Sequence, residues 1–239
     1  MPKTKIGWTY IKDEGSAIFF PPEALSSFNG SNGNKEGVSI CPAVSYFEQR
    51  VFIVKSPYTF RIKASTTEDQ WVFQPVYPHT EIEEHLLKSL LQFQPQKMWR
   101  NPKKPVLQLL LPYVFFSDIP VQINQIEATQ VKNNKNWSVI QGRYNIHDWQ
   151  RPINWSIEWM DTEQDLVIKR GQALFQILFE SSEFDSKIEL VHKNRDQNID
   201  RAIKSTQDIN KLTHGTFSVI KESSKQRAVE FLDEENNIP

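Results

Sequence analysis

The chain has 239 residues, 38% of them hydrophobic and 24% charged, which is the composition of one globular domain with or without an appendage. Its 28 basic and 29 acidic side chains leave a formal charge of -1, so general nucleic-acid binding is disfavoured, because neutralising phosphates needs an excess of Lys and Arg. The single cysteine, Cys41, excludes an internal disulfide and a Cys-rich zinc site.

The sequence predicts neither a membrane span nor a signal peptide. The longest apolar stretch, 106–116, contains Gln108 and Pro112 and is much shorter than the ~20 residues of a spanning helix. Residues 1–14 are rich in charge and lack the apolar segment of a signal peptide. We therefore expect a reducing, cytoplasm-like compartment.

Short runs rich in β-branched and aromatic residues recur along most of the chain. Residues 51–54 and 58–63 flank a turn that contains Pro57, and both runs are typical of strands. Further predicted strands are 70–76, 106–116, 121–128, 137–146, 154–159, 166–170, 173–179 and 187–192. Many short strands with few helices predict a mainly β fold, an antiparallel β-sandwich of jelly-roll type. Trp155, Ile157 and Trp159 alternate within one strand and are expected in its core.

Two helices are predicted. Thr80 and Glu83 match a capping box, which places an inserted helix over 81–92. Near the C-terminus, apolar residues recur at helical spacing over 198–212, and Gly215 stands where a C-terminal cap belongs. A last short helix over 225–232 is also possible on this pattern.

The composition changes after Glu180, where the chain becomes polar, and all seven Trp residues lie in the first 160 positions. This predicts a β-sandwich body over 1–185 and a C-terminal helical arm over 186–239. The segment 28–37, rich in Gly and Asn, is predicted to be an exposed loop. A narrow apolar stripe cannot be buried by one helix alone, so the arm must pack on the body, on a second copy or on a protein partner.

The stripe residues are the predicted contact points of the arm with a partner or with a second copy: Ile199, Ile203, Ile209 and Leu212. On this interpretation, replacing Ile203 with Asp weakens association and leaves the thermal midpoint of the body nearly unchanged.

One stretch of the chain carries a dense pattern of landmarks. It reads GRYNI at 142–146, then Trp149, Arg151-Pro152, Trp155, Glu158, KRG at 169–171 and Leu174-Phe175; earlier landmarks are CPA at 41–43, KSP at 55–57 and PYVF at 112–115. Over residues 40–180 this pattern resembles a family known only as a domain of unknown function, found in marine bacteriophages and some bacteria. The resemblance implies a virus-encoded accessory or virion-associated protein in the host cytoplasm or the virion, and it supplies no catalytic residues.

Trp149 and Arg151 are the candidate binding residues of this stretch. Trp149 lies between charged and polar neighbours, as do Trp8 and Trp99, and an exposed Trp can anchor a protein interface or stack on a sugar ring. The sequence therefore favours a binding protein without catalytic activity or cofactor. A carbohydrate-binding module is one alternative to a protein-binding role.

An enzyme is the other alternative. His79, Glu81 and His147 could form the two-His, one-carboxylate triad with which jelly-roll oxygenases hold Fe(II). The capping box at Thr80 already accounts for Glu81, and the triad would require His147 to reach the same point. His147 and Asp148 are also explained as a surface turn between two strands.

Overall fold

The computed structural model describes residues 2–11, 18–25, 41–67, 70–129, 135–183, 186–207, 209, 214–225 and 231–232. Its strands are β1 (Lys3–Tyr10), β2 (Glu23–Ala24), β3 (Val51–Lys55), β4 (Phe60–Thr67), β5 (Gln70–Pro75), β6 (Leu91–Phe93), β7 (Val106–Phe116), β8 (Val121–Ile126), β9 (Trp137–Val139), β10 (Gly142–Asn145), β11 (Pro152–Trp159), β12 (Leu166–Ile168), β13 (Ala173–Ser181) and β14 (Lys187–His192). Its helices are α1 (Pro42–Glu48), α2 (Glu84–Leu90), α3 (Gln197–Thr206) and α4 (Thr216–Ser224), with a 3-10 turn over Gln96–Met98. The predicted loop at 28–37 lies outside the described residues.

The strands form three sheets. The large sheet has the order β14-β1-β7-β11-β9, with β6 also paired to β7. The second sheet has the order β10-β8-β13-β3-β2, and the small sheet the order β12-β4-β5. One continuous apolar core contains buried side chains from all three. The predicted mainly β, sandwich-like fold is confirmed, with one difference: β1 and β14 pair in parallel.

Strand β11 shows how the sequence directs side chains into this core. Ile153, Trp155, Ile157 and Trp159 are at most 3% exposed, and the residues between them are half-buried. Successive side chains of a strand point to opposite faces, so the indoles pack inward and Asn154 and its alternating neighbours face outward. The predicted core positions of Trp155, Ile157 and Trp159 are confirmed.

Strand β7 is buried on both faces in its C-terminal half. Tyr113 and Phe115 belong to the main core, whereas Val114 and Phe116 point to the outer face and pack under α3. A run of consecutive apolar residues is what such a doubly covered strand requires. The ring of Phe116 also explains Gly7 on the neighbouring strand, since a Cβ at that position would lie 2.0 Å from the ring.

The inserted helix is shorter than the sequence predicts. It covers Glu84–Leu90, and the chain then enters β6 instead of continuing to residue 92. The predicted capping box is wrong: the N-cap is Glu83, whose side chain makes no cap hydrogen bond. The Thr80 hydroxyl instead accepts the N–H of Arg61 at 3.1 Å and lies within hydrogen-bond distance of two carbonyl oxygens. Thr80 therefore ties its segment to β4.

The proposed boundary between body and arm does not match the sheet. Residues 187–192 form β14, the edge strand of the large sheet beside β1, so the sheet extends past residue 185. Beyond it, α3 packs Ile199, Ala202 and Ile203 against the outer face of β7. Asp196 caps this helix by accepting the N–H of Ile199 at 2.8 Å.

The structure therefore shows the beginning of the arm packed on the chain's own body. Gly215, predicted to cap the end of a helix over 198–212, instead precedes α4 with a positive φ of 75°. Most of the helix predicted over 225–232 lies outside the described residues, as does Leu212. No helix in the described ranges is long and apolar enough to cross a membrane.

Candidate ligand-binding groove

At one end of the outer face of the large sheet, α3 and Phe231 cover the strands. The helix covers Val114 and Phe116, and further along the same face Leu110 and Pro112 of β7 are half-buried beside β11. Asn154 of β11 stands opposite Leu110 in the register of the two strands. A trough therefore runs across this face beyond the edge of α3.

Three cavities open into this trough. Their volumes are about 280, 690 and 360 Å³, and Arg151, Pro152 and Asn154 line all three. Ligand sites in proteins commonly measure roughly 300–1,000 Å³. We call the shared region the Arg151 groove and define it by Tyr144, Trp149, Arg151, Pro152 and Asn154.

Aromatic rings surround the Arg151 guanidinium. Its Cζ lies 4.8 Å from the centroid of the Trp149 ring and 5.9 Å from that of Tyr144. Trp149 contacts Tyr144 edge to face and makes a second such contact with Phe217 of α4, each at 5.5 Å between centroids. Phe217 is 65% exposed. The arginine is held against a π surface, and its Nε–H donates to the carbonyl of Pro152 at 3.3 Å, which leaves the two terminal NH2 groups of the guanidinium to bind an anion.

The turn between β10 and β11 fixes these side chains. The Asn145 side chain accepts the His147 N–H at 2.9 Å and donates to Asp148 at 3.0 Å. The Gln150 amide, which is fully buried, donates to the carbonyls of Ile146 and His147 at 2.8 and 2.7 Å. Satisfied buried hydrogen bonds hold a turn in one conformation. The turn predicted at 147–148 is therefore present, and it orients Trp149 and Arg151.

Among the described residues, the groove carries positive charge and no negative charge. The charged side chains among the described residues that line the three cavities are Arg143 and Arg151. Arg143 forms an ion pair with Glu180 at 3.3 Å, whereas Arg151 forms none with any described residue. A half-buried guanidinium without a carboxylate partner favours an anionic ligand.

Tyr144 adds a polar group to the wall of the groove. Its hydroxyl oxygen is buried and has no hydrogen-bond partner among the described residues. Burial raises the pKa of Tyr144 to about 12, and the charge of Arg151 acts in the opposite direction. The phenol is therefore neutral at physiological pH and can donate one hydrogen bond.

Of the residues predicted to bind, the structure brings Trp149 and Arg151 together and adds Ile203, which lines the 360 Å³ cavity. Ile199 and Ile209 are buried, so they are not free to contact a partner. The sequence analysis missed Tyr144, Asn154 and Phe217 as groove residues. Tyr144 stands in the GRYNI landmark, but only the sheet pairing shows which residues lie beside it.

The metal-binding residues considered above are separated. His79 is an exposed residue of a bend, and Glu81 accepts the N–H of Thr59 at 3.2 Å. The Nδ1 atom of His147 lies 3.0 Å from the carbonyl oxygen of Ser117. No three His, Cys, Asp or Glu side chains come close enough to hold a metal ion within the described ranges, which contain all three candidates. The structure does not bring His79, Glu81 and His147 together.

The other two Trp residues with polar neighbours do not join the groove. Trp8 is 7% exposed and packs against Tyr10 and His192, so the expectation that it is exposed is wrong. Trp99 contacts Trp71 beside the small sheet, with 5.9 Å between the ring centroids. Trp149 is thus the one of the three that lines the Arg151 groove.

Comparison with known proteins gives little further information. No protein-family model matches the chain, and no curated protein matches it. One similar solved structure is a dUTPase of Staphylococcus bacteriophage 80alpha, with dUpNHpp, at 9% sequence identity and a TM-score of 0.36. The match covers 80% of this chain and 97% of that chain. A likeness at this level supports no conclusion about the function of this chain.

Proposed function

We propose that this protein is a non-catalytic binding protein and that the Arg151 groove receives an anionic ligand. The observation that carries the proposal is the meeting of three cavities at a half-buried arginine that no described carboxylate neutralises. The described residues lining these cavities include no Asp, Glu, His, Cys or Lys. The hydroxyls of Ser89, Ser156 and Thr206 line the cavities, but no described lining residue is a His or carboxylate that could activate them as a general base.

The arginine is suited to recognise a carboxylate, sulfonate or phosphate. Such groups accept paired hydrogen bonds from a guanidinium, and a hydrogen bond to a charged group contributes about 1.5–3 kcal/mol. The stacked Trp149 ring restricts the guanidinium, which lowers the entropy lost on binding. An aromatic or apolar part of the ligand can contact the rings beside it.

Anilinonaphthalene sulfonate, an anion with aromatic rings, is a direct probe of this proposal. Its fluorescence rises in an apolar site, so titration gives an affinity for the groove. We expect Arg151→Gln to weaken this affinity by about tenfold or more, because the charge-assisted hydrogen bonds are lost. Arg100→Gln is the matched control, since Arg100 is exposed, is paired with Glu158 at 3.5 Å and lines none of the three cavities.

The control variant should bind the probe within about twofold of the original protein. Equal affinities for the original protein and Arg151→Gln, with both folded, would contradict the proposal. Thermal unfolding curves for each variant verify that a loss of binding is not a loss of structure.

The biological setting remains part of the proposal. The resemblance to a bacteriophage family, described above, supports a virus-encoded accessory or virion-associated role in the host cytoplasm or the virion. A protein partner or a second copy would now be expected to engage Phe217, exposed at the rim of the groove, instead of the stripe of α3 that packs on β7. Size-exclusion chromatography of Phe217→Ser tests the contact with a second copy: a shift to smaller mass supports self-association through Phe217, and an unchanged profile contradicts it.

A sugar is the second candidate ligand, and one observation favours it. The 280 Å³ cavity is lined by amide side chains together with aromatic rings, a combination suited to hydroxyl groups and the faces of a sugar ring. The amides are those of Gln108, Gln125, Gln141 and Asn154. Quenching of Trp fluorescence on a glycan panel, lost in Trp149→Ala, would establish this candidate, and no quenching by any glycan would reject it.

A further inference from the structure

The 690 Å³ cavity differs from its two neighbours in chemistry. Its wall is mostly aliphatic and aromatic, and Arg151 is its one charged side chain among the described residues. The apolar part of the wall includes Phe19, Leu86, Leu90, Leu110 and Leu111. A cavity of this size and polarity is typical of sites for small apolar molecules.

The strand pairing explains why a cavity exists there. Strand β7 pairs with β6 at residues 107–109 and with β1 at residues 113–116, so Leu110 and Leu111 have no strand partner on that side among the described residues. On the opposite side, the register of β11 shifts between Pro152 and Asn154. The sheet is interrupted at this point, and the apolar wall meets the polar groove there.

The positive charge of Arg151, where the apolar cavity meets the two more polar cavities, determines which chemical group the end of a ligand must carry there. Arg151, Pro152 and Asn154 are shared by the apolar cavity and by the two more polar ones, so they mark the boundary between them. A molecule that fills the apolar cavity from this boundary would place its polar end at the guanidinium. Charge complementarity then requires that end to be an anion.

We propose that the ligand of the Arg151 groove is an amphipathic carboxylate of the fatty-acid class. Its carboxylate binds Arg151, and its hydrocarbon chain occupies the 690 Å³ cavity beside Leu86, Leu90 and Leu110. The inference rests on the proposed anion-binding function and specifies the rest of the ligand. It requires affinity to depend on both the charge and the chain length.

A series of saturated carboxylates tests the chain. Each buried methylene group strengthens binding by roughly fourfold, so the affinity should rise about fifteenfold from octanoate to decanoate, which differ by two methylene groups. Decanamide, which has the same chain without the charge, should bind at least tenfold more weakly than decanoate. Displacement of anilinonaphthalene sulfonate, or calorimetry where that probe does not bind, measures each affinity.

A charge at the cavity wall provides the second test. Leu86 is 47% exposed on α2, so it can be replaced without disturbing the core. Leu86→Glu should weaken decanoate binding about fivefold relative to Leu86→Gln, because the hydrocarbon chain would remove water from the new carboxylate. Both variants should keep the affinity for acetate, which does not reach that wall.

The outcomes separate this inference from the proposed function. If Arg151→Gln abolishes binding of the sulfonate probe but octanoate and decanoate bind equally, the anion site stands and the fatty-acid inference is overturned. If the probe binds independently of Arg151, the anion site itself is wrong, and unchanged carboxylate affinities in Arg151→Gln would overturn the inference as well. A rise with chain length that is lost in Arg151→Gln supports both.

Discussion

Replacing Ile203 with Asp tests how strongly α3 is joined to the β body. Ile203 is 7% exposed and belongs to a cluster with Val114 and Phe116 of β7. Truncating such a side chain costs about 2–5 kcal/mol, and burying an unpaired carboxylate adds to that cost. We therefore expect Ile203→Asp to lower the free energy of unfolding by at least about 4 kcal/mol, which replaces the nearly unchanged thermal midpoint that the sequence alone predicts.

In a chain of this length each kcal/mol lowers the thermal midpoint by about 2–4 °C, so the expected fall is about 8–16 °C. Thermal unfolding followed by circular dichroism measures it. Asn198→Asp is the matched control, because it adds the same charge at an exposed position in the first turn of α3, where a negative charge is tolerated. A midpoint within about 2 °C of the original protein for Ile203→Asp would refute the packing of α3 on β7.

Three further predictions concern other parts of the chain. Gly7→Ala should destabilise the fold by about 1–3 kcal/mol in urea unfolding, because the added Cβ meets the buried ring of Phe116; an unchanged urea midpoint would contradict this close approach. Asp118→Asn should cost about 1–2 kcal/mol, since the Asp118 carboxylate accepts the backbone N–H groups of residues 231 and 232, and faster proteolysis near the C-terminus would report the loss. The folded state holds the phenol proton of Tyr144 more tightly than the unfolded state does, so stability should fall as the pH rises from about 10 to about 12. This part of the decline should be absent in Tyr144→Phe, and identical pH profiles for the two proteins would show that the phenol is not buried.

The sequence predicts the parts of this fold that depend on local pattern. Strand β11 alternates apolar and polar residues without interruption, and that pattern alone shows which of its side chains face the core. Strand β1 was missed, because Lys3, Lys5 and Gly7 resemble a polar segment until Phe116 and β14 are placed beside them. Pairing between distant strands is not encoded in either segment by itself.

The sequence leaves open whether the C-terminal arm packs on the body, on a second copy or on a partner, for a related physical reason. The stripe of α3 indicates that something apolar covers it, but it does not identify what does so. The stripe packs on Val114 and Phe116, whose apolar side chains face outward from β7 and must themselves be buried. The apolar stripe of α3 and the apolar outer face of β7 bury each other, although they are far apart in the sequence.

The sequence also predicts the candidate site in part, namely the residues that lie close together in the chain. Trp149 and Arg151 were identified because both stand in one short stretch, two residues apart. Tyr144 and Phe217 come beside them only through the β10 turn and the placement of α4. Arg151 owes its significance to the absence of a described carboxylate nearby, which no linear pattern reveals.

The parallel pairing of β1 with β14 has a consequence for the order of folding. Thr4 pairs with Ile188, 184 positions later in the chain, so this contact closes a very long loop. During synthesis at roughly 5–20 residues per second, β1 waits on the order of ten seconds or more for that neighbour. One edge of β1 therefore stays open on the ribosome, where a chaperone or another nascent chain can reach it, until most of the chain has been made.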